Sequence, residues 1–273
     1  MGGEAIVERI LRRDAAVVLG ALAAVTALGW WYVVRLAAGM DMGGMDMHGW
    51  QMVSTGFGMT MAPAMEPWTP AVFLLMFVMW AVMMVGMMVP SAAPLILLYT
   101  RAVRQADSQG TPMAASGFFT SGYLVAWTGF ALAATTVQWL LQRAALLSPE
   151  MAAAGTTTGA VVLLLAGAYQ WSSLKDVCLT HCRSPLQFLV QHGGFRRDAR
   201  GALALGLRHG IYCVGCCWVL MALLFVGGIM NLAWIAGLAI LVLLEKVAPV
   251  GRALARLSGV VLVAAGVWGL LHG

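Results

Sequence analysis

Sulfur side chains recur along this sequence at spacings that could hold a soft cation. Eight methionines stand in the 26 residues from Met40 to Met65, and the densest part reads Met40-Asp-Met42-Gly-Gly-Met45-Asp-Met47-His48. Thioether sulfur is an uncharged soft ligand that suits Cu(I), and it tolerates oxidising surroundings better than thiolate. The stretch is rich in glycine and has no helix or strand pattern. It reads as a flexible loop in which Met40, Met42, Met45, Met47 and His48 are capture ligands.

A second group follows at once: Met76, Met79, Met83, Met84, Met87 and Met88, running into Pro90-Ser91-Ala-Ala-Pro94. At about 100° per residue, Met76, Met79, Met83 and Met87 fall within about 80° of one another on a helix, with Met84 and Met88 flanking them. Methionine also fills irregular cores, so the stripe gains meaning from its place beside the loop. The two prolines predict a kinked or loosened helix whose freed carbonyls need a partner or a cavity.

Thiols form the third and fourth groups. Cys213, Cys216 and Cys217 stand at i, i+3 and i+4, one helix face spanning about 100°, with His209 in the same sector and Met221 one turn beyond. Such a face can bind a soft cation, and a Cys-x2-Cys can also act as a redox pair. Cys178, His181 and Cys182 form a shorter cluster that could hold Cu(I) or Zn(II), although a complete zinc site takes four ligands. These two clusters contain all five cysteines of the chain. Glu245, beside Lys246, is a carboxylate at the edge of an apolar run. It is a candidate by default, unless a local ion pair accounts for it.

The elements that must position these groups are membrane helices. The chain is 61% hydrophobic and 10% charged over 273 residues, whereas soluble domains are about 25% charged. Runs of about 20 apolar residues, enough to cross a bilayer, recur at 15–38, 71–99, 114–141, 157–174, 205–227, 231–249 and 257–271. The expected fold is therefore all-α, a polytopic transmembrane bundle of about seven spans. Placing the N-terminus in the cytoplasm puts fourteen of the 16 Lys and Arg residues inside. Only Arg35 and Arg143 fall outside, a strong positive-inside asymmetry that leaves the C-terminus outside. The pI near 9.2 is thus a signal of topology, and no nucleic-acid pattern accompanies it.

The chain divides into an anchor helix over 1–38, an external Met/Gly-rich loop over 39–67 and a metal-binding bundle over 68–273 with a cytoplasmic loop at 175–203. The first apolar run is longer than a signal-peptide core and carries Trp30-Trp31-Tyr32 as an interfacial belt, so it reads as an uncleaved anchor. Counting residues at about 1.5 Å each places thioethers in the outer and middle depths and the Cys213 group in the inner depth. The Cys178 group lies beyond it.

Several blocks together carry a resemblance. They are Trp80-x2-Met83-Met84-x3-Met88-x-Pro90-Ser91-x2-Pro94; Gly122-Tyr123-x3-Trp127; Gly167-x-Tyr169-Gln170-x4-Lys175-x2-Cys178-x3-Cys182-Arg183-x-Pro185; Gly206-x3-Gly210-x-Tyr212-Cys213-x-Gly215-Cys216-Cys217-Trp218-x2-Met221; and Gly228-x-Met230-Asn231-Leu232 leading to Glu245-Lys246. The set resembles a bacterial family of unknown function described as predicted metal-binding integral membrane proteins, over roughly residues 70–250. The resemblance implies metal binding in a membrane. His181 and the methionine-rich loop are not part of its pattern.

The expected function is Cu(I) handling in a bacterial inner membrane, either transport across it or delivery to a membrane copper enzyme. The partners would be lipid, the soft ion, and a copper chaperone or copper-containing membrane enzyme. Two other functions fit the sequence: a membrane thiol-disulfide oxidoreductase using the paired cysteines, and an assembly subunit that transports nothing. No nucleotide-binding motif is present, so the chain does not read as an ATP-driven pump.

Overall fold

The computed structural model describes residues 2–42, 50–54, 59–63, 68–106, 112–147, 155–194 and 198–272. In chain order the elements are α1 (Gly2–Met42), β1 (Trp50–Ser54), β2 (Met59–Pro63), α2 (Pro70–Ala106), α3 (Pro112–Arg143), α4 (Thr156–Tyr169), α5 (Ser173–Arg183), α6 (Pro185–Gln191), α7 (Ala199–Ala222), α8 (Leu224–Gly227), α9 (Leu232–Val247) and α10 (Gly251–His272). The expected runs 15–38, 71–99, 114–141 and 257–271 each lie within one helix, whereas 157–174 breaks after α4, 205–227 divides between α7 and α8, and 231–249 overruns α9. Five segments are long and apolar enough to cross a membrane: Arg13–Ala38, Pro70–Arg104, Ala115–Arg143, Ala199–Gly227 and Gly251–His272. The other two runs make shorter helices, 14 residues in α4 and 16 in α9. α4 stops where Gln170 and Ser172 bring polar side chains, and Ser172 caps α5 by accepting from the Lys175 amide at 3.2 Å.

The region 39–67 departs from an unstructured loop. α1 continues through Met42, carrying the backbone of Met40 and Met42 into its last turn. β1 and β2 pair antiparallel, with Trp50 opposite Pro63 and Ser54 opposite Met59. Aromatic, β-branched and alternating residues in Trp50-Gln-Met-Val-Ser and Met59-Thr-Met suit strands. Met45, Met47 and His48 lie outside the described residues.

The bundle is held by close helix pairs. α3 packs most extensively on α7, α4 on α10, and α2 on both α1 and α3. Glycine makes the α3–α7 approach possible: a Cβ at Gly206 would lie 1.9 Å from the Phe119 carbonyl oxygen, and one at Gly122 would lie 2.0 Å from that of Leu203. Removing the side chain lets the backbones meet, as small residues do between membrane helices. α2 runs as one helix through Pro90 and Pro94. Beside them, the Met88 carbonyl accepts hydrogen bonds from Ser91 Oγ at 2.8 Å and from Tyr123 Oη at 3.0 Å. The hydrogen bond from Tyr123 ties α3 to α2 at this turn.

Segment 175–203 is not an open loop. α5 is amphipathic and folds back on α7, with Lys175, Cys178 and Leu179 buried. α6 follows through Pro185, and Asp198 caps α7 by accepting from the Gly201 amide at 2.7 Å.

Candidate metal centre

α5 folds back on α7 and sets its two cysteines alongside the three of α7. Cys213, Cys216 and Cys217 are each 1% exposed, on the face their spacing defines. The Cys216 and Cys217 thiols donate to the Cys213 carbonyl at 3.1 and 2.9 Å. From α5, Cys182 Sγ lies 3.9 Å from Cys216 Sγ. Cys178 Sγ closes on α7 where Gly215 has no side chain; a Cβ there would lie 2.8 Å from it. Counting along the chain separates the two clusters by depth, but the return of α5 merges them. All five thiols are free.

Cys213 is the hub. The Cys182, Cys216 and Cys217 thiols lie close around its sulfur. Lys246 Nζ of α9 donates to it at 2.8 Å, and Tyr123 Oη of α3 stands at 3.1 Å. Lys246 also donates to Ser91 Oγ of α2 at 3.1 Å. α2 and α7 do not pack extensively on each other; Tyr123 and Lys246 bridge Met88 and Ser91 to Cys213. His209 is 3% exposed, with its ring among Phe119, Tyr123 and Phe188. Its Nδ1 is a buried nitrogen without a hydrogen-bond partner among the described residues.

Glu245 faces away from this hub and into a separate polar network. Its Oε2 accepts from Lys175 Nζ at 2.6 Å, and its Oε1 accepts from Gln170 Nε2 at 3.2 Å. Gln170 also accepts from Lys175 and donates to Ser258 Oγ at 2.9 Å. The structure therefore gives Glu245 to a buried ion pair and puts its neighbour Lys246 against the thiols.

Among the remaining candidates, Met79, Met83, Met84, Met87, Met88 and Met221 are buried in the common core, and Met76 packs partly buried against it. Met76 Sδ accepts from Gln138 Nε2 at 3.8 Å. The stripe is thus turned into the bundle. His181 stacks flat on Tyr212 at 4.2 Å between ring centroids, and its Nδ1 lies 2.8 Å from the Val177 carbonyl. Sequence reasoning misses Lys246, Tyr123 and Ser91 as parts of the site. Their only signal is membership in the resembling blocks.

Outside the apolar spans, burial and the neighbouring Cys216 push the Cys178 thiol above its ordinary value. Hydrogen bonding to the Cys213 and Cys216 thiols, followed by burial, pushes Cys182 well above it. Both groups therefore favour the neutral thiol.

Soft sulfur and an orphaned imidazole nitrogen are donors that fit a soft cation. Three sulfurs at a metal–sulfur distance of about 2.3 Å would stand about 4.0 Å apart, and two in line about 4.6 Å. The 3.9 Å between Cys182 and Cys216 is near this range and far beyond a disulfide bond of about 2.05 Å. Among the described residues, no three His, Cys, Asp or Glu side chains are gathered as a ready metal site. Cys216 and Cys217 would have to leave the Cys213 carbonyl for all three α7 sulfurs to share one ion.

Apart from the β1–β2 pair the described chain is helical, with membrane-length apolar helices around a core that contains soft donors. The sequence model of the PpoB2 copper chaperone family matches residues 77–269, and the chain belongs to this family. The match contains all five cysteines, Lys246 and Tyr123, and leaves out residues 39–67. Neither a curated protein nor a solved structure matches the chain.

Proposed function

We propose that the chain is a membrane-embedded Cu(I) carrier that delivers the ion to a copper-containing membrane partner. The observation that carries this reading is the approach of the α5 thiols to the buried thiol face of α7, with Cys182 Sγ 3.9 Å from Cys216 Sγ and Cys178 Sγ against Gly215. Copper is the cargo. The thioethers of α2 offer weak sites from which an ion can move on, and the thiols offer a tighter one. The positive-inside asymmetry supports a thiol centre near the cytoplasmic face and a methionine-rich segment outside. Residues 39–67, which lie beyond the family match, serve in this reading as a capture segment.

The test is anaerobic Cu(I) titration of the purified protein and of the triple variant Cys213→Ser/Cys216→Ser/Cys217→Ser. The expected outcome is stoichiometric Cu(I) on the wild type and its loss from the variant. The cross-helix pair Cys182 and Cys216 is the observation favouring a thiol oxidoreductase. That reading gains if the wild type takes up no copper and thiol labelling finds a disulfide that forms and breaks.

A further inference from the structure

We infer that Lys246 selects a monovalent over a divalent cation at this centre, by supplying the single positive charge that balances a two-thiolate Cu(I) complex. The inference rests on the copper reading above and adds the basis of its metal choice.

The buried charges make the case. Lys246 is 6% exposed, and a buried ammonium needs a compensating partner. Its side-chain partners are Ser91, which is neutral, and Cys213. Among the described residues no carboxylate reaches it. Glu245 is adjacent in sequence, but its oxygens are engaged by Lys175 and Gln170. That ion pair is neutral as a unit, and so is the pair of Arg104 with Asp14 between α2 and α1. That leaves Cys213 as the one ionisable group among the described residues to which Lys246 donates a hydrogen bond. The groups around it are Tyr123 from α3, His209, Cys213, Cys216 and Cys217 from α7, and Cys182 from α5. None of these carries a permanent negative charge.

A centre loaded through Cys213 and one neighbouring thiolate has a charge set by its ion. Cu(I) with two thiolates carries −1, and Lys246 brings the site to zero. Zn(II) with two thiolates is neutral, and Lys246 leaves the site at +1 in a medium that penalises isolated charge. A divalent ion could recover neutrality only with more anionic ligands. No three-ligand His, Cys, Asp or Glu site is gathered among the described residues, whereas zinc sites take four ligands. Cu(I) is satisfied by two sulfurs, so the fixed ammonium and the small ligand number act in the same direction.

The experiment measures Cu(I) and Zn(II) affinities anaerobically, by chelator competition, on the full chain in detergent. The proteins compared are the wild type, Lys246→Arg, Lys246→Gln and Lys246→Met. Removing the charge should weaken Cu(I) and strengthen Zn(II), each by about tenfold or more at effective protein dielectric constants, and Lys246→Arg should stay near wild type. Opposite movement of the two metals is the signature, because lost packing would weaken both. Parallel weakening, or an unchanged ratio, overturns the role of Lys246 while leaving the copper reading intact. A wild type that binds no Cu(I) overturns both. Should neither neutral variant fold, the wild type still decides. Ag(I) should displace bound Cu(I) and Cd(II) should not, and uptake of Cd(II) at the thiols would count against the proposal.

Discussion

At Cys213 a thiol, an ammonium and a phenol meet at one buried point, and the Cys182 thiol approaches it from α5. The shift at Cys182 has a cause that can be removed. Its thiol lies above the ordinary value of 9.0, chiefly because Cys213 and Cys216 hydrogen-bond to it and secondarily because it is buried. A raised thiol pKa means that the folded chain holds a proton the unfolded chain releases. The stabilising contribution is complete below about pH 9 and is lost as pH rises towards the folded value. Alkylation of Cys182, followed by mass spectrometry against pH, should show a midpoint above 9.0. In Cys213→Ala/Cys216→Ala that midpoint should fall towards the ordinary value; a midpoint that does not move would refute the assigned cause.

Among the elements, the α3–α7 pair fixes where the hub stands, since Tyr123 rides on one helix and Cys213 on the other. Gly206→Ala would place a methyl group 1.9 Å from a backbone oxygen, and overpacking of this kind costs about 1–3 kcal/mol. Thermal unfolding in detergent should show that loss, together with weaker Cu(I) binding. Gly129→Ala on α3 meets nothing within 4 Å, so it should be neutral or stabilise by about 0.5–1 kcal/mol. Equal effects of the two substitutions would show that helix approach does not decide stability here. The helices themselves were legible, because apolar runs and the composition leave few alternatives in lipid. Gly206-x3-Gly210 carried little weight in the sequence, since the chain has 32 glycines and only packing tells which ones touch. The return of α5 was hidden for a related reason. Depth counted along the chain treats a polar segment as leaving the bundle, whereas α5 buries the face with Lys175, Cys178 and Leu179. Lys246 stands beside Glu245 in the sequence, and no pattern in one sequence says which way a lysine turns.

For the molecule as a whole, the Lys175–Glu245 pair joins α5 to α9, and Gln170 and Ser258 extend it to the end of α4 and to α10. Its members are 1% and 2% exposed. Breaking a buried pair by removing one partner costs about 3–5 kcal/mol, whereas replacing both can be nearly neutral. Glu245→Gln should therefore destabilise the bundle strongly in denaturant unfolding, and Lys175→Met/Glu245→Leu should recover much of the loss. A double variant as unstable as the single one would mean that the pair contributes more than the cost of an abandoned charge.

Glu245 and Lys246 are consecutive, yet one is tied to α5 and the other to α7. A swing of α9 that drew the ammonium off Cys213 would also pull on Lys175, and through it on the helix bearing Cys178 and Cys182. Loosening one side of the sulfur nest would strain the other. The two neighbours thus fasten α9 to both thiol-bearing helices at once.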